Sequence, residues 1–303
     1  MTTTITEIKL KGFDNKLKDV DLNYPNCSCG KCPCMYFNLL SIASRQSGKT
    51  YTICQLIKHY EMNKMIDNDG ILHKVRTIVI SPTILANPIY KSLNSLDEED
   101  IYDNYSDETL QDILDNIKQD RQETDDFKEY VKAYKIVEKT RKEYIPNLMK
   151  TNPEIFDILE VYEYEHYKNI PQPKYTEYPV IFCILDDILG TGGLNNKKNS
   201  VLINSIIKNR HLGICFCILL QSCKGIAKTI RLNSSVYHLG KFANKNMVLD
   251  SIYEECSNVL TLEEFEKLYT HATEERYGSL IIDCSGGTKR FLKGLSTELI
   301  LDK

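Results

Sequence analysis

Ala43-Ser44-Arg45-Gln46-Ser47-Gly48-Lys49-Thr50 follows directly on the apolar run Met35-Tyr36-Phe37-Asn38-Leu39-Leu40-Ser41-Ile42. A short buried strand that empties into S-G-K-T reads as a phosphate-binding P-loop. Apolar Ile53, Leu56, Ile57 and Tyr60 then recur at helical spacing, so a helix is expected over Thr50 to Met65. Well downstream, Val180-Ile181-Phe182-Cys183-Ile184-Leu185 runs into Asp186-Asp187. That second stretch reads as a buried strand delivering two carboxylates to the same sheet edge. A phosphate cradle followed by a carboxylate strand is the order expected of nucleoside triphosphate chemistry.

Each residue type has a task in that chemistry. Backbone N–H groups of Gln46 to Thr50 would wrap the β- and γ-phosphates at a helix N-terminus. Lys49 adds a point charge, the Thr50 hydroxyl faces Mg²⁺, and Gly48 allows close backbone approach. Ala43 stands where the first glycine of the motif usually sits. Asp186 is expected to hold Mg²⁺ through its water shell, and Asp187 to orient or deprotonate the attacking water. The other reading is a strand ending in two turn-forming aspartates. Gln221, at the end of the apolar run Ile218-Leu219-Leu220, is placed to sense the γ-phosphate, unless it is an ordinary strand terminus. Charge developing on the γ-phosphoryl calls for an arginine. Arg45 could act within its own subunit and Arg210 or Arg231 on a neighbour's nucleotide; surface arginines without such a role are the alternative.

The rest of the chain sorts around this pair. Val75 to Ile80 is a β-branched strand stopped at Ser81-Pro82. A helix over Ser200–Asn209, strands over Gly213–Leu220 and Ser235–Leu239, helices over Asn244–Glu255 and Thr261–His271, and strands over Gly278–Asp283 and Lys289–Leu292 follow. Alternating strands and helices imply a parallel, doubly wound α/β domain. The division expected is 1–34 as a lead-in with a Cys-rich segment, 35–96 as the first part of the core, 97–175 as an acidic helical insertion, and 176–303 as the rest of the core.

Composition narrows the class. The 303 residues carry a net charge of −4, but unevenly. Asp97 to Lys168 holds 21 acidic against 10 basic residues, whereas nothing between Ile188 and Leu249 is acidic. That second span carries Lys197, Lys198, Lys208, Arg210, Lys224, Lys228, Arg231, Lys241 and Lys245. It is either a footprint for a polyanion or a solvated face balanced by the acidic segment. Lys197 and Lys198, at the tip of the loop Gly190–Asn199, are the candidate contacts to DNA phosphates. No apolar stretch approaches the ~20 residues of a membrane span, and Met1–Thr6 has neither a basic head nor an apolar run of a secretory leader.

Eleven cysteines include Cys183, Cys215 and Cys217 inside apolar strands, which points to buried thiols in a reducing compartment. Cys27-Ser28-Cys29-Gly30-Lys31-Cys32-Pro33-Cys34 is denser. Zn²⁺ could be held by Cys27, Cys29, Cys32 and Cys34, with Cys29 and Cys32 forming a knuckle. Four ligands within eight residues would strain one tetrahedral site, however, and no second C-x-x-C lies nearby; reduced or redox-active thiols are the other reading. Asp187-Ile188-Leu189-Gly190 matches the D-x-x-G of GTPases, but the guanine-reading aspartate after Asn196-Lys197 is missing. Ile281-Ile282-Asp283 echoes a second carboxylate strand and is better read as a late strand entering a hairpin.

A third block adds to the P-loop and the carboxylate strand: Asn209-Arg210-His211-Leu212, then Gln221-Ser222, then Ile230-Arg231-Leu232-Asn233-Ser234-Ser235. With it, the chain resembles the DNA-packaging ATPases of poxviruses and giant DNA viruses, members of the FtsK–HerA superfamily, over about Met35 to Lys245. The P-loop itself, with Arg45 inside it, looks more like that of tailed-phage terminase large subunits, whose loop arginine serves in cis. The resemblance implies a RecA-like P-loop NTPase core with a mainly parallel sheet and the acidic insertion between the second strand and the carboxylate strand. It further implies ATP and Mg²⁺ as cofactors, a homo-oligomeric ring (pentamer or hexamer), double-stranded DNA and capsid vertex proteins as partners, and work at the assembly site in the host cytoplasm or in the virion. A hexameric helicase and a nucleotide-dependent capsid assembly protein are the competing functions. With few residues after the core, no terminase-type nuclease is expected.

Overall fold

The computed structural model describes residues 23–160, 172–188, 190, 194, 200–222, 226–242, 252–254 and 260–301. Three strands read from sequence form the middle of one sheet: β2 (Asn38–Ile42), β7 (Val180–Asp186) and β8 (Ile214–Leu220). All three are wholly buried. Their residues alternate between two cores because side chains on a strand face opposite ways in turn. Leu40, Ile42, Ile181, Cys183, Leu185, Phe216, Ile218 and Leu220 pack on one face of the sheet. Leu39, Phe182, Ile184, Cys215, Cys217 and Leu219 pack on the other. A sheet covered on both sides needs continuous apolar runs, and that is why these strands read as such.

Around this centre the sheet grows to nine strands. It takes in β5 (Val75–Ile80), β6 (Leu96–Tyr102), β9 (Val236–Gly240), β10 (Ser279–Asp283), β11 (Arg290–Lys293) and β12 (Thr297–Leu299), in the order β12-β11-β10-β9-β2-β8-β7-β5-β6. From β9 to β6 every pairing is parallel. From β9 to β12 every pairing is antiparallel. The sheet is therefore mainly parallel, with an antiparallel flank built by the late strands. A separate three-stranded sheet joins β1 (Asn26–Cys27), β3 (Met65–Ile66) and β4 (Leu72–His73).

The helix after the P-loop, α1 (Lys49–Met62), buries Ile53, Leu56, Ile57 and Tyr60, the face expected from its spacing. Tyr60 lies 5.0 Å from Phe182 ring to ring, and its hydroxyl donates to the Pro33 carbonyl at 2.9 Å. On the opposite face sit α2 (Asp107–Lys139), α5 (Val201–Ile207), α6 (Asn209–Leu212), α7 (Lys228–Leu232) and α8 (Leu262–Ala272). The short helices α3 (Ile145–Thr151) and α4 (Pro153–Glu160) follow α2. The helix expected over Asn244–Glu255 lies mostly outside the described residues.

The acidic stretch differs from its sequence reading at its start. Leu96–Tyr102 is not helical but a strand, β6, paired in parallel with β5 at the edge of the main sheet. Its run of four acidic residues hid a strand whose exposed side is simply charged, as suits a sheet edge. The long helix α2 begins only after it, capped by Ser106, whose hydroxyl accepts from the Thr109 N–H at 2.9 Å. Leu110, Ile113 and Ile117 of α2 enter the main core. A buried ion network binds these pieces: Arg76 on β5 donates to both oxygens of Asp100 on β6 (2.9 and 2.7 Å) and to Asp120 on α2 (2.6 Å). Arg121 of α2 donates to the carbonyls of His211 and Leu212 at 3.1 and 2.6 Å.

Removing the cation from such a network leaves a buried carboxylate with no partner. Arg76→Met is expected to lower unfolding stability by about 3–5 kcal/mol, read as a fall in denaturant midpoint at unchanged m-value.

Candidate nucleotide-binding site

In a parallel sheet all strands leave by one edge, and here the exit edge gathers the sequence-expected groups. β8 lies between β2 and β7. The loop after β2 therefore faces the ends of both β8 and β7, where Gln221 and Asp186-Asp187 stand. The loop arches through Gln46 at φ 58 and Gly48 at φ 87 before α1 begins. Gly48 occupies the N-cap with no side-chain capping bond, which leaves first-turn N–H groups of α1 free for an anion. The Lys49 ammonium, buried, donates to the Ala43 and Ser44 carbonyls at 3.0 and 3.2 Å and so spans the loop. Burial lowers its pKa, while the charges of Asp186 and Asp187 work to raise it.

Two pairings decide what the edge can do. Thr50 Oγ1 donates to Asp186 Oδ2 at 3.2 Å, across 136 positions of sequence. Gln221 Nε2 donates to Asp187 Oδ1 at 2.8 Å. The loop, the carboxylate strand and the strand between them thus meet in one place. This is a P-loop NTPase core.

The donor set fits Mg²⁺. A hydroxyl and a carboxylate are hard oxygen ligands, and adjacent corners of a magnesium octahedron stand about 3 Å apart, close to the Thr50–Asp186 separation. Asp186 is 4% exposed, and burial raises its pKa, with the Asp187 charge adding to the rise. Hydrogen bonds from Tyr90 and Thr50 and the Lys49 charge hold it down. Asp187 sits at φ 54, a left-handed conformation that aspartate tolerates better than most residues, and this turn sends its side chain to Gln221.

Three groups in the site carried no sequence signal. Tyr90, from the 3₁₀ turn Pro88–Ser92, is buried and donates its hydroxyl to Asp186 Oδ2 at 2.6 Å. His238 on β9 is buried beneath the loop, with Nδ1 2.7 Å from Ser41 Oγ. Burial, helped by the Lys49 charge, pulls its pKa down to about 4, so the ring is neutral. Tyr277 packs against Gly48 and lines, with Ser44, Arg45, Gln46, Ser47, Lys241, Phe242 and Arg276, a cleft of about 460 Å³ above the loop. None of these could be seen in a motif, because each reaches the loop from an element distant in sequence.

Gly240 accounts for Ala43. A Cβ on Gly240 would fall 2.5 Å from the Ala43 Cβ, far inside contact distance. The glycine missing from the start of the loop has its counterpart on the neighbouring strand, which gives way instead.

The arginines separate. Arg45 is exposed on the rim of the cleft. Arg210 on α6 and Arg231 on α7 precede β8 and β9, so they stand at the entry edge of the sheet, roughly 20 Å of strand away from the loop of their own chain. Asn209 beside Arg210 is structural, its side-chain amide donating to the Tyr36 and Ile214 carbonyls. Asp283 also lies at the entry edge, opposite Val236, and leads into the β10–β11 hairpin. Lys197 and Lys198 lie outside the described residues. Cys27, Cys29 and Cys32 cluster, but Cys34 does not join them: its sulfur lies beside Gly286 and its N–H donates to Ser285 Oγ at 2.7 Å.

Among solved structures, the chain is similar to the genome-packaging NTPase B204 of Sulfolobus turreted icosahedral virus 2 in complex with AMP, at 13% identity and a TM-score of 0.45, over 88% of this chain and 98% of that one. It is also similar to the cytoplasmic domain of the type VII secretion ATPase EccC of Thermomonospora curvata, at 12% identity and a TM-score of 0.41, over 88% of this chain and 26% of that one. ATPases 2 and 3 of EssC from Geobacillus thermodenitrificans match at 15% identity and a TM-score of 0.39, over 71% and 34%. No protein-family model and no curated protein matches the chain.

Two variants test the geometry. Gly240→Ala should weaken nucleotide binding about tenfold or more through overpacking, and Ala43→Gly in the same chain should restore it; titration with a fluorescent ATP analogue reads both. Tyr90→Phe removes a donor that favours the ionised Asp186, so the carboxyl pKa rises further. The acid limb of Mg²⁺-dependent hydrolysis should then move to higher pH, with the alkaline side unchanged.

Proposed function

We propose that the chain is an ATP-hydrolysing motor of the FtsK–HerA superfamily that drives double-stranded DNA into a viral capsid as a homo-oligomeric ring, a pentamer or hexamer. The observation that carries the hydrolytic part is the meeting of Thr50 with Asp186 and of Gln221 with Asp187 at one sheet edge. In this reading the Cys-rich lead-in (1–34), the core segments 35–96 and 176–303 and the acidic segment 97–175 between them serve one motor.

Within one subunit the loop from Ala43 to Thr50 binds the phosphates, and Lys49 turns from its own loop carbonyls to the β- and γ-phosphates. Mg²⁺, held by Thr50 and Asp186, would supply positive charge to those phosphates. Asp187 orients the attacking water and accepts its proton, and Gln221, bonded to Asp187, transmits the presence of the γ-phosphate to β8. Phe242 and Tyr277 offer the cleft an apolar and aromatic wall for the base. Arg45, on the rim, is the finger available in cis. Arg210 and Arg231, on the far edge, can serve only a neighbour's nucleotide, which a ring would bring to them.

The DNA part rests on charge. Among the described residues, Lys208, Arg210, Lys228, Arg231 and Lys241 form no ion pair with a carboxylate within 4.0 Å, so these five charges are not paired with the acidic stretch. Lys197 and Lys198 belong to the same span and complete the proposed grip on phosphates. The acidic helices α2 to α4 would meet capsid vertex proteins, at the assembly site in the host cytoplasm or in the virion.

Lys49→Ala should abolish nucleotide binding. Asp187→Asn should keep ATP affinity while hydrolysis falls about 10²–10⁴-fold; a wild-type rate would remove Asp187 from the chemistry. Steady-state ATPase with and without long linear duplex, across a salt series, tests the motor: stimulation that fades steeply with salt supports it, and turnover indifferent to DNA points to a capsid-assembly role instead. Displacement of a strand from a fork, without translocation on blunt duplex, would make it a helicase.

A further inference from the structure

The Cys-rich segment is not used by the nucleotide site, yet it is folded into a defined turn. Cys27 ends β1, where it lies opposite Met65 of β3. The chain turns back at once: Gly30 N–H donates to the Cys27 carbonyl at 3.1 Å, with Gly30 at φ 64, and Ser28 N–H donates to the Lys64 carbonyl at 2.9 Å. The turn places Cys29 Sγ 3.2 Å from Cys27 Sγ and 3.4 Å from Cys32 Sγ. All three cysteines are free and partly buried.

This geometry separates two chemistries. A structural zinc ion takes four ligands. Among the described residues, the ligand group at this point is Cys27, Cys29 and Cys32, because the Cys34 backbone turns away to Ser285. The closest sulfurs also sit nearer one another than the edge of a tetrahedral site, about 3.8 Å for Zn–S bonds near 2.3 Å. Cys29-Gly30-Lys31-Cys32 is instead a C-x-x-C, the spacing at which one turn lets two sulfurs join. We propose that Cys29 and Cys32 form a redox dithiol site, closed to an intramolecular disulfide by a low-molecular-weight disulfide of the glutathione class.

Cys29 is the attacking sulfur. It lies between the other two, and the Lys31 N–H donates to it at 3.4 Å, a bond that favours the thiolate. Attack on the small disulfide forms a Cys29–glutathione mixed disulfide and releases one glutathione thiolate. Cys32 then gives its proton to solvent, and its sulfur attacks Cys29 Sγ. The Cys29–Cys32 bond forms as the second glutathione thiolate leaves and takes a proton. Two electrons pass from the dithiol to the small disulfide, which becomes two thiols. Cys54, Cys183, Cys215 and Cys217 are buried and take no part.

The turn is tied down on two sides. The Tyr60 hydroxyl of α1 donates to the Pro33 carbonyl at 2.9 Å, and Arg290 of β11 donates to the Lys31 carbonyl at 3.0 Å. Oxidation would close the loop that carries Lys31 and so stiffen the junction between α1 and the β10–β11 hairpin. Tyr60 lies about 16 Å along α1 from Lys49, which leaves the P-loop outside its reach.

The test uses the full chain, reduced and then equilibrated in glutathione buffers of rising oxidised fraction, with thiols blocked in acid and mapped by peptide mass spectrometry. A Cys29–Cys32 disulfide should form, and dithiothreitol should reverse it. Cys32→Ser should stop at the mixed disulfide on Cys29, and Cys29→Ser should slow oxidation of the segment about tenfold or more. Cys27→Ser and Cys34→Ser should leave the Cys29–Cys32 bond intact. Binding of a fluorescent ATP analogue serves as the control for folding. In the unaltered chain, brief iodoacetamide treatment should label Cys29 ahead of Cys27 and Cys32, a reading that needs no variant. A Cys27–Cys29 bond as the sole product, a Cys32→Ser chain with no adduct at Cys29, or a stoichiometric metal ion shielding these thiols in the purified chain overturns the proposal.

Discussion

The hydrogen bond between Thr50 and Asp186 joins the first residues of α1 to the last residue of β7, and the site exists only because those two ends coincide. Nothing local brings them together. The register of three parallel strands does: Ile42 lies beside Leu220, and Leu219 beside Asp186, so β2, β8 and β7 finish level with one another. A shift by one residue on any of them would turn its apolar set from one core to the other. Burial on both faces therefore holds the exit edge in line, and misalignment would cost burial in the core.

Close packing at that edge carries its own constraints. Asp186 is a buried carboxylate satisfied by Tyr90 and Thr50, and Lys49 is a buried ammonium satisfied by loop carbonyls. Neither could be buried unpaired without a large desolvation penalty. Beneath them His238 stays neutral, which keeps a second positive charge from forming next to Lys49. The contact between Gly240 and Ala43 shows the same tightness: space for the loop is set by β9 as much as by the loop's own residues.

The far side of the sheet is organised on different terms. Arg76 draws β6 and α2 onto β5 through Asp100 and Asp120, so an acidic segment that looked like an appendage is anchored in the main core. The entry edge carries Arg210 and Arg231 clear of the P-loop of their own chain. The P-loop thus lies at one edge of the sheet and these two arginines at the other.

The amino-acid sequence by itself determined the chemistry-bearing loop, the carboxylate strand and the central strands, because those depend on local order: apolar runs long enough to be buried, S-G-K-T after one of them, two aspartates after another. It also located the buried face of α1. Only the tertiary structure decided that Leu96–Tyr102 is an edge strand, that Tyr90, His238, Tyr277 and Gly240 converge on the loop, that Arg210 and Arg231 stand at the opposite edge, and that Cys34 lies apart from the cluster of Cys27, Cys29 and Cys32. Each of those facts joins residues far apart in the chain. Charge runs and single tyrosines, glycines or histidines have no periodicity to betray such meetings; strand order and close packing create them.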